Sequence, residues 1–183
     1  MIWLIVVIVI LILLVLFVVS TYNGLVVARN KVRDQFSQID IQLKKRFDLI
    51  PNLVETVKGY TKHESETLEK VIQARNGYME AKSEAEKLEA SKEVSRGIAS
   101  IFALAESYPE LKANTNFLDL QEQLKSVEDK IGYARQFYND SVLMYNNKIE
   151  MFPSNVVASL FRFEKSKFFE VEDEERKNVE VKF

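Results

Sequence analysis

RFDLIPNLVETVKGYTKH, residues 46–63, sets Pro51 in the middle of what otherwise reads as one long amphipathic helix. Asp48 is a good N-cap, because its carboxylate can accept from the unpaired N–H groups of a new first turn. Leu49, Ile50 and Pro51 would then occupy that turn. A proline there loses no intrahelical acceptor, and its ring meets no preceding carbonyl. DLIP is therefore expected to end a first helix at Phe47 and to start a second. A joint this short predicts antiparallel neighbours.

Upstream, Leu25, Ala28, Val32, Phe36 (or Gln35), Ile39, Leu43 and Phe47 recur at steps of three and four, which makes one apolar helical stripe. Neither Gly nor Pro interrupts residues 25–50. The first helix thus runs out of MIWLIVVIVILILLVLFVVS, residues 1–20, of which 19 are apolar. At ~1.5 Å per residue that run spans roughly 28 Å, close to the ~30 Å hydrocarbon core of a bilayer. A cleaved signal peptide would carry a basic leading region and a small-residue cleavage site. This run has neither, so residues 1–20 are expected to be a retained single-pass transmembrane anchor.

The flank at 21–50 holds Arg29, Lys31, Arg33, Lys44, Lys45 and Arg46 against Asp34, Asp40 and Asp48. That excess favours the N-terminus outside and the polar part in the cytoplasm. Ser20, Gly24 and Ala28 lie four apart at the membrane exit, a candidate self-association strip on which two helices can approach closely. Chance at a helix surface explains the spacing equally well. The basic patch QLKKRFD would attract anionic lipid only if its helix lay near the surface.

Downstream, the second helix is expected to bury Ile50, Leu53, Val54, Val57, Tyr60, Leu68, Val71, Ile72 and Tyr78 and to reach residue 84. Residues 79–96 are rich in Ala, Glu and Lys and leave the next boundary open. A third helix collects Val94, Ile98, Ile101, Phe102, Ala105 and Tyr108 and stops before Pro109. PELKANTN reads as a connector, with Asn116 capping a fourth helix and Asp119 in its first turn. That helix runs from Phe117 towards Phe152 in alternating three and four steps, and Pro153 ends it. SNVVASLF suggests a short helix capped by Ser154. Residues 166–183 are charged and expected to be a disordered tail. The fold class is all-α: a transmembrane helix continuing into an elongated, four-helix, up-and-down antiparallel bundle over 21–165.

Gly (5) and Pro (3) are too scarce for the tight connections of a β-rich fold. Cys is absent, which removes disulfides, thiol nucleophiles and Cys-based zinc sites. A net charge of −2 gives no reason to expect nucleic acid. His63 is the sole histidine and has no second ligand for zinc, so it reads as a surface or interfacial side chain. Glu64, Glu66, Glu69, Glu84, Glu86 and Glu89 alternate with Lys as a solvated face does. No catalytic, cofactor or metal residues are expected. YNDSVLMYNN, 138–147, repeats Tyr-Asn at a spacing of seven. Tyr138 and Tyr145 fall on the inner stripe with Asn139 and Asn146 beside it. They read as core tyrosines with interface amides, or else as a candidate polar groove for a ligand or partner helix.

TYNGLVVARNKV, IDIQLKKRFDLIPNLVETVKGYTKHE, QARNGY, the stretch ESYPELKANTNFLDLQEQLKSVEDKIGYARQFYNDSVLMYNNKIEMFP and the phenylalanine pair of SKFFE resemble the LemA family over residues 20–170. The resemblance implies a bacterial single-pass membrane protein with a four-helix bundle. The family has no established catalytic residues to carry over. Its lipoprotein members carry a cysteine that this chain lacks, so their orientation cannot be borrowed. The expected function is a non-enzymatic membrane-anchored scaffold that acts by self-association or partner docking. The alternative is a sensor binding a small ligand or peptide between helices. Expected partners are the lipid bilayer, a second copy of the chain (a homo-oligomer) and an unidentified protein.

Overall fold

The computed structural model describes residues 1–61 and 64–169, and among them every regular element is a helix. These are α1 (Ile2–Lys58), α2 (Ser65–Glu80), α3 (Glu84–Ala105), α4 (Pro109–Lys112), α5 (Thr115–Glu150) and α6 (Ser154–Leu160). The position of His63 lies outside the described residues.

The expected joint at DLIP is corrected by α1, which passes through Pro51 without stopping. Proline removes the N–H that would bond the carbonyl four residues back, here that of Phe47. Phe47 is 1% exposed, so water does not replace the missing donor. Arg75 does: its Nε–H, reaching over from α2, donates to the Phe47 carbonyl at 3.1 Å. The apolar stripe explains why continuation wins. Ile39, Leu43, Phe47, Ile50, Val54 and Val57 keep one phase through the proline, and all are buried. A mid-helix proline costs about 3 kcal/mol. Holding Ile50, Leu53, Val54 and Val57 in the core is favourable by about 1.5–3 kcal/mol each, which outweighs it.

The turn comes one helical stretch later. α1 ends at Lys58, before Gly59, and the Val57 carbonyl accepts from both the Thr61 N–H (3.1 Å) and the Thr61 hydroxyl (3.2 Å). The expected second helix is therefore divided between the end of α1 and α2. It also stops short of residue 84. Ser83 opens α3 with a capping box: Glu86 N–H donates to Ser83 Oγ (3.2 Å), and the Glu86 carboxylate accepts from the Ser83 N–H (3.3 Å). α3 ends ahead of Pro109, as expected, but the expected connector contains the single turn α4 with Pro109 in its first position. The cap of α5 is Asn114 rather than Asn116. Asn114 Oδ1 accepts from Phe117 N–H at 3.0 Å, and its amide donates to the Tyr60 hydroxyl at 2.8 Å. α6 forms where expected, although Ser154 does not cap it; the Ser154 hydroxyl donates to the Met151 carbonyl instead.

The chain divides into two units, one of Met1–Gln38 with Tyr133–Phe183, the other of Ile39–Gly132. In the Ile39–Gly132 unit, the α1 stripe meets Leu68, Val71 and Tyr78 of α2, Val94, Ile98 and Ile101 of α3, and Phe117, Leu124 and Ile131 of α5, all buried. Gly97 permits the close approach of α2 and α3: a Cβ there would stand 2.8 Å from Val71 Cγ2. Tyr60 and Ile72, expected inside, are exposed.

In the other unit Leu25, Val157 and Ala158 form one buried cluster, against which Val18, Ile149 and Phe163 pack, and Val32, Ala134, Tyr138, Val142 and Tyr145 are buried as well. Arg162, at φ 56°, turns the chain out of α6. Residues 163–169 then run without helical structure. The expected disordered tail from 166 is thus placed as far as 169; the remainder lies outside the described residues.

If Arg75 stands in for the missing proline donor, the two positions are energetically coupled. Arg75→Met is expected to cost about 1–3 kcal/mol in the native sequence, the cost of a buried unpaired acceptor. In a Pro51→Ala background the new amide serves the same carbonyl, and the cost should fall by about 1 kcal/mol. Equal costs in both backgrounds, read by denaturant unfolding, would refute the account.

Candidate functional site

The Tyr-Asn repeat of α5 places its four residues around the extended segment 163–169. Asn146 makes two bonds to one residue of that segment: its Nδ2–H donates to the Ser166 carbonyl, and its Oδ1 accepts from the Ser166 N–H, both at 2.9 Å. Asn139 repeats this with Phe169, donating to the carbonyl at 3.0 Å and accepting from the N–H at 2.7 Å. The Tyr138 hydroxyl donates to the Lys167 carbonyl between them, at 3.0 Å. Tyr145 lies beneath, 1% exposed, and burial pushes its phenol above the ordinary range despite nearby Arg29 and Arg33.

The register follows from two rises. Seven residues of α-helix advance ~10.5 Å, and three residues of extended chain advance ~10 Å. Two asparagines seven apart therefore meet residues three apart on a strand. Rising numbers in the segment meet falling numbers in α5, so the two run antiparallel. Aromatic rings secure both ends of the segment. Arg135 stacks over Phe169, 4.5 Å from the ring centroid. Arg29 lies 5.1 Å from the Phe163 centroid, and Tyr22 meets Phe161 and Phe163 at 4.8 and 5.6 Å. Every hydrogen bond from the asparagine side chains in this clamp goes to backbone, so these bonds read extended main chain, while the ring contacts read Phe163 and Phe169.

The strip of small residues is divided in its surroundings. Ser20 is exposed, Ala28 is half-buried, and the Gly24 carbonyl accepts from Lys148 Nζ of α5 at 3.4 Å. Lys148 therefore covers the middle of the strip.

The Ile39–Gly132 unit contains a polar cluster that the basic-patch reading missed. Arg46 is 1% exposed and does not face solvent. Its guanidinium donates to Glu128 Oε2 (2.7 Å), Ser95 Oγ (2.9 Å) and the Ser91 carbonyl (2.9 Å). Leu43, Arg46 and Ile50 follow three-four spacing, which was the available signal. Beside this cluster a groove of about 500 Å³ opens between α3 and α5, lined by Ile98, Phe102 and Leu124 with Arg46 and Glu128 at its polar side. Nearby, Tyr78 OH and Lys87 Nζ both donate to Asp40 Oδ1, at 2.6 and 2.9 Å. Burial pushes the Asp40 carboxyl up, but these two donors, with the charges of Lys87 and Lys44, outweigh it and hold the group below its ordinary value. These clusters can bind and position.

The LemA family model matches residues 35–183. Protein LemA of Metamycoplasma hominis is 26% identical over 166 residues, covering 89% of this chain and 75% of that protein. Magnetosome proteins MamQ 1 and MamQ 2 of Paramagnetospirillum magneticum are each 26% identical over 73 residues, which is 40% of this chain and 27% of theirs.

Removing both clamp amides should release the segment. In Asn139→Ala/Asn146→Ala, four bonds worth about 0.5–1.5 kcal/mol each are lost, so tryptic cleavage after Lys165 and Lys167 is expected to accelerate about tenfold or more. Asn146→Asp, which keeps shape but loses one donor, should fall between. Cleavage at the native rate in the double variant would show that the amides do not hold the segment.

Proposed function

This chain belongs to the LemA family, and we propose that it is a non-enzymatic scaffold, held in a membrane by residues 1–20, that assembles with copies of itself or docks a partner. The observation that carries this reading is the absence of any linker between the apolar run and folded structure. α1 is long and apolar enough near its N-terminus to cross a membrane, and that window is wholly unburied. Leu25, five residues past Ser20, is already 1% exposed. A protein built this way holds what it binds at a fixed short distance from the bilayer. The LemA family is not a known enzyme family, which supports a binding role. A second reading, a sensor of a small ligand or peptide, is supported by the groove between α3 and α5.

Detergent-solubilised full-length protein is expected to have a mass of two or more chains by light scattering. A single-chain mass at every concentration would remove self-association, and a ligand that raises Tm in that monomer would favour the sensor.

The basic excess after the apolar run supports a cytoplasmic position for the polar part. A C-terminal tag should then resist protease added to intact cells and be lost after permeabilisation. Cleavage from outside would reverse the orientation.

A further inference from the structure

α6 and the turn that leads into it have two apolar faces. One, Val157 and Ala158, packs on Leu25 together with Val18. The other is uncovered: Met151, Phe152, Val156 and Leu160 are 61–81% exposed. Residues 151–163, MFPSNVVASLFRF, contain no acidic side chain and one base, Arg162. Large apolar groups do not stand in water at this density without a reason.

The height of α6 along α1 supplies one. Its contacts are with Val18, inside the apolar run, with Leu25, and with Tyr22 through Phe161. Val19 ends the run, and Leu25 lies only ~9 Å further along the helix axis. The polar headgroup layer on each side of a bilayer is ~5–8 Å deep. Given an anchor at residues 1–20, α6 is held level with the headgroup layer, from the hydrocarbon edge at Val18 to its outer side near Leu25. We propose that α6 is a second membrane contact, an interfacial wedge whose outer face of Phe152, Val156 and Leu160 enters the lipid beside the anchor. The charges beside it, Lys148, Arg162 and Lys165 against Glu150 and Glu164 with Lys165 paired to Glu150, leave a small basic excess that suits anionic headgroups. The wedge fixes how far the protein sits from the bilayer and stops α1 from sliding through it. This inference rests on the anchor reading given above.

The chain has no cysteine, so single cysteines carry a fluorophore without interference. Val156→Cys and Leu160→Cys are exposed positions. Ile10→Cys reports on the anchor, and Tyr133→Cys, exposed in the same unit ~22 Å along α5 from Lys148, reports on water. The full chain is labelled and reconstituted into phosphatidylcholine–phosphatidylglycerol vesicles containing nitroxide lipids, spin-labelled either near the glycerol or near the chain ends. Positions 156 and 160 are expected to be quenched severalfold more than 133, and more by the shallow label than by the deep one. Position 10 should respond most to the deep label. Quenching at 156 and 160 no greater than at 133, with position 10 quenched, would overturn the wedge and leave the anchor standing. A blue-shifted but unquenched fluorophore at 156 would mean that a second copy covers α6, which also overturns it. Loss of quenching at position 10 would remove the anchor, and the wedge with it.

Discussion

One hydrogen bond, from the Arg75 guanidinium to the Phe47 carbonyl, reconciles a proline with an unbroken α1. Without it, a buried carbonyl would lie next to a residue that has no N–H to offer. The bond also ties α2 to α1 at the point where α1 is weakest. Around it, the Tyr78 ring meets Phe47 at 3.9 Å between centroids, and its hydroxyl reaches Asp40. The segments IDIQLKKRFDLIP and QARNGY are thus one structural feature: Asp40, Phe47 and Pro51 on α1 are met by Tyr78 and Arg75 on α2. A proline in one segment places a requirement on an arginine in the other.

The periodicity of apolar residues made the helical class legible, and most positions on the expected stripes are buried. The error at Pro51 has a specific cause. Local chemistry favours starting a helix at Asp48, and that preference is real; but it is worth less than four core side chains whose phase continues past the proline. Phase across a breaker was therefore the better guide than the breaker. The start of α3 was readable from Ser83 and Glu86, a capping pair three apart. Asn114 and Asn116 could not be told apart by residue type, since both are competent caps and only the pairing of Asn114 with Tyr60 across the fold decides between them. Arg46 was hidden by its neighbours. Lys44 and Lys45 are solvated, and a basic triplet looks uniform in sequence even when one member points inward.

The pairing of tyrosine and asparagine at a spacing of seven showed that α5 carried a repeated polar feature, but not what filled it. The occupant, residues 163–169, has no amphipathic period, because its contribution is backbone. Only the coincidence of helical and extended rise, ~10.5 Å against ~10 Å, makes it fit. Such a match constrains α5 tightly and the strand loosely. Shifting one asparagine by a single position rotates it by ~100° around the helix and breaks the register.

A common device runs through both units: a side chain on one element satisfies the main chain of another. Arg75 does so for Phe47, Arg46 for Ser91, Asn146 and Asn139 for the terminal segment, and Lys148 for Gly24. Bonds of this kind fix where a backbone lies but are indifferent to the side chains it bears. They let residues that point away from the contact vary without loss of the fold. In the Ile39–Gly132 unit such bonds keep α1 whole. In the other they hold the non-helical segment 163–169 on α5, so that α6 and Phe163 stay against Leu25. The exposed side chains of α6 are then free to answer to their surroundings rather than to the core, which is the condition for a surface that meets lipid.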